Sequence, residues 1–339
     1  MTIGNGQQAG GNSKRNLFGC AFCALLFALC SSAQAQQPGK IPRIGYLSGN
    51  SASESTRSEA FRQSLRELGY VEGKNIVIEW RYAEEKLDRV AALAAELVRL
   101  KVDIIVTAGP SLTRAAKEAT VTIPIVMTNE GDPVGTGFVA SLARPGGNIT
   151  GLSTLSPELS GKRLEILKEV VPGLSRVAVF GTSTTATQAQ ELKEVERAAG
   201  MAGVKLQYLD VLGPKDIETA FRAASKSRAG AVVWLVTGNV ANPHLKKIAE
   251  LAGESRLPVI YHRAIFVERG GLLAYGVNLI ELDKRAATYV DKILKGAKPS
   301  DLPVEQPKKF EFIINLKAAK QIGLTIPPNV LARADRVIK

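Results

Sequence analysis

RIGYLSG, Arg43 to Gly49, runs from a basic residue through a short apolar segment to a small polar ending. Such a run, closed abruptly by serine and glycine, reads as a β-strand. Glu54 to Gly69, which comes next, is of another kind: Ala60, Phe61, Leu65 and Leu68 recur at helical spacing and share one face. The alternation continues as strand Ile76 to Trp80, helix Leu87 to Leu100, strand Asp103 to Gly109, helix Ser111 to Ala119 and strand Pro124 to Thr128. Strands alternating with helices of this length predict βαβ units and a parallel sheet. The runs IIVTAG and IPIVMT are apolar almost throughout, as suits strands covered on both faces.

RVAVFGT, Arg176 to Thr182, restarts the theme. After it come helix Ala186 to Ala199, strand Lys205 to Val211, helix Lys215 to Lys226, strand Ala231 to Thr237, helix Pro243 to Glu254 and strand Pro258 to Tyr261. Residue identity between the halves is slight, so the repeat is one of architecture. Strand Leu272 to Val277, helix Leu282 to Leu294, the connector KGAKPSDLPVEQP, strand Phe310 to Ile314 and two short helical pieces complete the chain. The expected fold is α/β, two similar lobes with parallel sheets, with crossings between them near Ser153, Asn278 and Pro303. The expected boundaries are 36–154 plus 279–302 for the N-terminal lobe and 155–278 plus 303–339 for the C-terminal lobe.

Residues 1–35 differ in kind. Lys14 and Arg15 precede the apolar run LFGCAFCALLFALC (Leu17 to Cys30), and Ala33-Gln34-Ala35 offers small residues for cleavage. That is the pattern of a secretory signal peptide with a mature start near Gln36, and the run is short for a membrane span. Lipidation at Cys30 is the alternative, poorly served by the bulky Leu29 before it. All three cysteines lie in this segment, so a mature chain has no disulfide, thiol nucleophile or thiolate metal ligand. The net charge of +12 becomes +10 once Lys14 and Arg15 are removed. Its bases are scattered along helix faces (Arg57, Arg62, Arg66; Lys193, Arg197; Lys246, Lys247) without interleaved aromatics, which speaks against a nucleic-acid partner.

No catalyst assembles from the remaining residues. His244 and His262 stand apart with no metal-ligand spacing, and His262, ending PVIYH, sits where a pocket residue would sit. GPSLTR and GTSTTAT lack the lysine of a phosphate loop, and Glu84 and Glu85 read as solvated. What recurs is a strand ending in small polar residues before a helix: Ser48-Gly49-Asn50-Ser51, Gly109-Pro110-Ser111, Asn129-Glu130-Gly131-Asp132, Thr182-Ser183-Thr184 and Thr237-Gly238-Asn239. Each alone is a helix cap. Together they fall on one edge of their sheets, where parallel sheets bind ligands and helix N-termini seat carboxylates.

DPVGTGFVASLARPGGNITGLS, LSGKRLEILKEVVP and FEFIINLKAAKQIGLTIPPNVLARAD resemble the ABC transporter substrate-binding proteins of the tryptophan/tyrosine type, from about Pro42 to the end. The resemblance implies a type I periplasmic-binding-protein fold, two Rossmann-like lobes joined by three crossovers. It also implies a periplasmic, non-enzymatic role: a monomer without cofactor that captures a small solute, an amino acid or another small carboxylate, for a membrane permease and its ATPase. A sensor presenting solute to a membrane receptor is the alternative. Asn129 and Glu130 stand where the family has smaller or apolar residues.

The expected ligand contacts are Ser48, Gly49, Gly109, Ser111 and Asn129 from the first lobe, with Thr182, Ser183, Thr237 and Asn239 from the second. Tyr261 and Tyr275 are expected as an apolar wall with polar tips, and Asn278 as a contact at a crossing. Asp132 followed by Pro133 predicts the start of a helix carrying Val134, Phe138, Val139 and Leu142 inward. Its carboxylate is read as that helix's cap, or as a partner for a ligand ammonium group.

Overall fold

Arg43–Ser48 forms β1, whose alternate residues serve two cores: Ile44 and Tyr46 pack on one face, Leu47 on the other. The protein is seen here in a computed structural model that describes residues 1, 40–49, 51, 56–184 and 186–339, without the side chains of Ala186 and Asn239. The expected signal segment, Met1 apart, lies outside the described residues, as do Asn50 and Thr185. Pro42–Lys339 is one compact unit.

β1 is followed by α1 (Thr56–Glu67), β2 (Val77–Tyr82), a 3-10 turn and α2 (Val90–Arg99), β3 (Ile104–Thr107), α3 (Pro110–Ala119), β4 (Ile125–Glu130) and β5 (Ile149–Ser153). Among the described residues these strands make one parallel sheet in the order β2-β1-β3-β4-β5. Leu47 lies beside Thr107 and Thr107 beside Met127, so the carboxyl ends are level.

The second lobe runs through α4 (Ser156–Val170), β6 (Arg176–Gly181), α5 (Ala186–Ala202), β7 (Lys205–Asp210), α6 (Pro214–Lys226), β8 (Ala231–Trp234), α7 (Gly238–Ala241), α8 (Leu245–Glu254), β9 (Val259–Tyr261), α9 (Ala264–Glu268) and β10 (Leu273–Gly276). The tail adds α10 (Leu279–Leu294), β11 (Glu311–Asn315), α11 (Leu316–Gln321), α12 (Pro328–Leu331) and β12 (Arg336–Ile338). The second sheet runs β12-β11-β10-β9-β8-β6-β7. Read from β7 to β10 it repeats the strand order of the first sheet, so the two halves share a topology. β11 pairs antiparallel with β10, the one reversal among the described strand pairs.

Three crossings join the lobes. β5 leads into α4 through Leu155, a non-glycine residue in the left-handed region (φ 54°). β10 leads back into α10, whose Leu282, Ala286, Ala287 and Val290 share a core with Ile44, Tyr46 and Phe61 of the first lobe. The third crossing lies further along than Pro303. Val304 is buried in the first-lobe core, and Glu305 exchanges backbone bonds with Gly151 and Ser153 before the chain enters β11. A residue pairing with β5 cannot belong to the other lobe.

The helix expected from Asp132 is absent. Asp132 Oδ1 accepts from the Gly135 backbone at 2.8 Å, and Gly137 N donates to the Val134 carbonyl at 2.9 Å. The capping contact forms, but Gly137 at φ 72° turns the chain out of the helical path. Phe138 and Val139 are buried nonetheless, while Val134 is 43% exposed. β5, α4, α9 and β12 are elements that the periodicity does not disclose.

Candidate functional site

The carboxyl ends of β1, β3 and β4 face those of β8 and β9 across a cavity of about 260 Å³ lined from both lobes. Of the expected contacts, Gly49, Gly109, Ser111, Asn129 and Thr237 line it. Gly109 is needed where it stands: its φ of 148° at the entry to α3 is open to glycine, and its carbonyl accepts from Leu112 and Thr113. The start of α3 thus stands on the cavity wall, and the positive end of a helix there favours negative charge.

Other expected contacts lie elsewhere. Ser48 is buried at the end of β1, its carbonyl accepting from Ala83. Thr182 and Ser183 turn toward β7, Thr182 Oγ1 donating to the Val211 carbonyl and Ser183 Oγ to Asp210 at 2.6 Å. Tyr261 is a core residue, fully buried and stacked on Phe266 with ring centroids 4.6 Å apart. Tyr275 packs between Phe310 and Phe312 at the crossings. Asn278 caps α10, accepting from Ile280 and Glu281, and donates to Glu311 at 2.7 Å. Asp132 lines a separate cleft of about 360 Å³ with Glu158 and Glu194. The side chain of Asn239 lies outside the described residues.

Arg57 on the first-lobe wall is expected from its helix as a solvated base, and the structure corrects that. Its guanidinium forks onto Asp283 of α10, with Nη2 reaching Asp283 Oδ1 at 3.0 Å and Thr128 Oγ1 at 3.2 Å. Asp283 is fully buried and also accepts from the Tyr46 hydroxyl at 3.4 Å. Burial works against the Arg57 charge, but Asp283 outweighs it and holds the guanidinium above its usual value. Glu85, read as solvated, also lines the cavity.

The second-lobe wall holds Arg163 of α4, Glu191 of α5 and His262 after β9. Arg163 is 2% exposed; its Nε donates to the Tyr275 carbonyl at 2.8 Å and its Nη1 to Ser160 Oγ at 3.0 Å. Burial pulls it down to about 10, against the pull of nearby Glu191. Burial pushes the Glu191 carboxyl up to about 7, against Arg163 and a hydrogen bond from Ser156. His262 is held well below its usual value by burial first, then by Arg263 and Arg163, so its ring is neutral. Glu130, at the end of β4, is pushed by burial up to about 8, and its Oε2 has no partner among the described residues.

These side chains carry a signal that periodicity alone does not read. Arg163 falls on the apolar face of α4, one turn from Leu159 and Leu167, and Asp283 lies among Leu282, Ala286 and Ala287 on α10. A charge on the buried face of an amphipathic helix needs a partner or a purpose. Among the described residues, no cluster of three or more His, Cys, Asp or Glu could hold a metal, and no helix is long and apolar enough to cross a membrane.

A sequence model of the family described as ABC transporter substrate binding protein matches residues 44–338. A tyrosine-binding protein of Clostridioides difficile (strain R20291) is 26% identical over 269 residues, covering 78% of this chain and 76% of its own. The crystal structure of a conserved domain protein from Vibrio cholerae superposes with a TM-score of 0.81 at 29% identity, over 88% of this chain and 100% of that one. The structure of an ABC domain in complex with L-Trp from Streptococcus pneumoniae gives a TM-score of 0.81 at 26% identity, over 88% and 99%.

Proposed function

We propose that this chain, which belongs to the ABC transporter substrate-binding protein family, is the extracytoplasmic receptor of an uptake system and takes an amino acid or another small carboxylate into its interlobe cavity. The observation that carries the reading is the cavity itself, walled from both lobes, with the start of α3 on one side and Arg163 on the other. A solute held by both walls favours the closed arrangement and shifts the population toward it. The family's role is solute binding rather than catalysis. That one relative is named for tyrosine and another was solved with L-Trp supports the amino-acid class.

Export by cleavage of residues 1–35, a periplasmic location, a monomeric state, and delivery to a permease driven by an ATPase complete the proposal. The rigid bodies that close are proposed as residues 36–154 with 279–305 and residues 155–278 with 306–339. Thermal-shift screening against amino acids, aromatic acids and short carboxylates tests it. A solute at about a hundred times its Kd should add about 2.7 kcal/mol of stability. A panel in which nothing stabilises the protein refutes the reading.

A further inference from the structure

The second-lobe wall carries a donor and acceptors that the protein does not bring together. Arg163 spends Nε and Nη1 on Tyr275 and Ser160, and its Nη2 has no partner among the described residues. Glu191, 6% exposed, has no cation within 4 Å among the described residues, although Arg163 is near enough to act on its charge. His262 Nδ1 is buried without a donor among the described residues, and the Trp234 backbone beside the ring favours a proton on it. A neutral imidazole carries one proton, and with it turned to that backbone Nδ1 is left as an acceptor. All three residues line the one cavity.

We propose that these three side chains read the head group of an α-amino acid, Arg163 taking its carboxylate and Glu191 with His262 Nδ1 taking its ammonium. This rests on the solute-binding reading and narrows it to zwitterions. A carboxylate alone would satisfy Arg163 but place a second anion beside Glu191 and leave Nδ1 empty. An amine alone would leave the guanidinium buried and unmatched. Only a ligand with both charged groups on one carbon meets the donor and both acceptors. The α3 start and Asn129 then face the rest of the molecule, where no phenyl, phenol or indole ring lines the cavity among the described residues.

Isothermal titration of the full chain tests the assignment with the twenty L-amino acids, each binder compared with its des-amino acid and its des-carboxy amine. The des-amino and des-carboxy analogues of tyrosine, tryptophan, leucine and glutamate are titrated regardless. The amino acid should bind at least about tenfold more tightly than either analogue, the size of a lost charged hydrogen bond. Glu191→Gln should cut amino-acid affinity by about tenfold or more and leave a des-amino acid within about twofold. The wild-type analogue series decides the matter even if the variant folds poorly. A des-amino acid that binds as well as its amino acid overturns the head-group assignment while sparing the solute-binding reading. A panel without any binder overturns both.

Discussion

The two walls of the cavity are built from the same topology and treat buried charge in opposite ways. On the first-lobe wall Arg57 is already matched: Asp283 neutralises it and Tyr46 and Thr128 complete the network. On the second-lobe wall Arg163, Glu191 and His262 are each held by backbone or hydroxyl groups but not by one another. A network closed on itself contributes shape and stability. One left open keeps its electrostatic free energy for a ligand, at a cost to the empty protein. Repeated strand order therefore does not imply repeated function.

The sharpest way to break this contrast is to open the closed network. Asp283→Ala removes the buried carboxylate that matches the Arg57 guanidinium, leaving it only neutral partners, and should destabilise the protein by about 3–5 kcal/mol, read by urea denaturation. Asp283→Ala with Arg57→Met should recover much of that loss.

A second test uses acidity. Glu130 and Glu191 have carboxyls raised to about 8 and about 7, so the folded state holds protons that the unfolded chain releases near its ordinary carboxylate value. Their contribution is fully present below about pH 4 and is lost as pH rises through about 7 to 8. Between pH 5 and 8 these two groups should make stability fall with a slope approaching two protons, offset by up to one below about pH 6.5, where His262 is neutral in the fold and protonated when unfolded, and each of Glu130→Gln and Glu191→Gln should remove about one. A slope unchanged in both variants would show that neither group is protonated in the folded protein.

Acidity should also act on binding. Arg163 and Ser156 act on Glu191 and His262 shares its cavity, and through this range the Arg163 guanidinium stays charged and the imidazole neutral. An ammonium group favours ionised Glu191, so amino-acid affinity should rise by up to about tenfold from pH 6 to 8 and stay flat in Glu191→Gln. Titration calorimetry at several pH values reads it. The smallest effect belongs to Asp132→Ala, which removes one turn contact by a residue that lines the neighbouring cleft and not the cavity. It should cost about 1 kcal/mol or less and leave affinity unchanged.

Much of the architecture is legible because parallel strands buried on both faces announce themselves as apolar runs, and both RIGYLSG and RVAVFGT occupy equivalent strands, β1 and β6. Asp132 misleads because its cap signal is local and real, while the glycines two and four residues after Pro133 steer the chain away from a helix. Small polar strand ends locate the cavity's edge, since Gly109, Ser111, Asn129 and Thr237 all face it. Arg163 and Glu191 escape notice because they sit mid-helix, on α4 and α5, where a charge ordinarily points to water. Tyr261 shows the reverse error: an aromatic at a strand end reads as a pocket residue although the core has a use for it.

One contact has a kinetic side. The guanidinium of Arg57 is satisfied by a carboxylate 226 residues later in the chain, on a helix that also supplies Leu282, Ala286 and Val290 to the first core. A chain emerging from its amino end cannot finish that core until Leu294 has appeared, long after β5 is complete. So distant a pairing slows folding and leaves the early chain loose. On the proposed route of export, where the chain crosses a membrane before it folds, the return of α10 to the first lobe is a built-in delay.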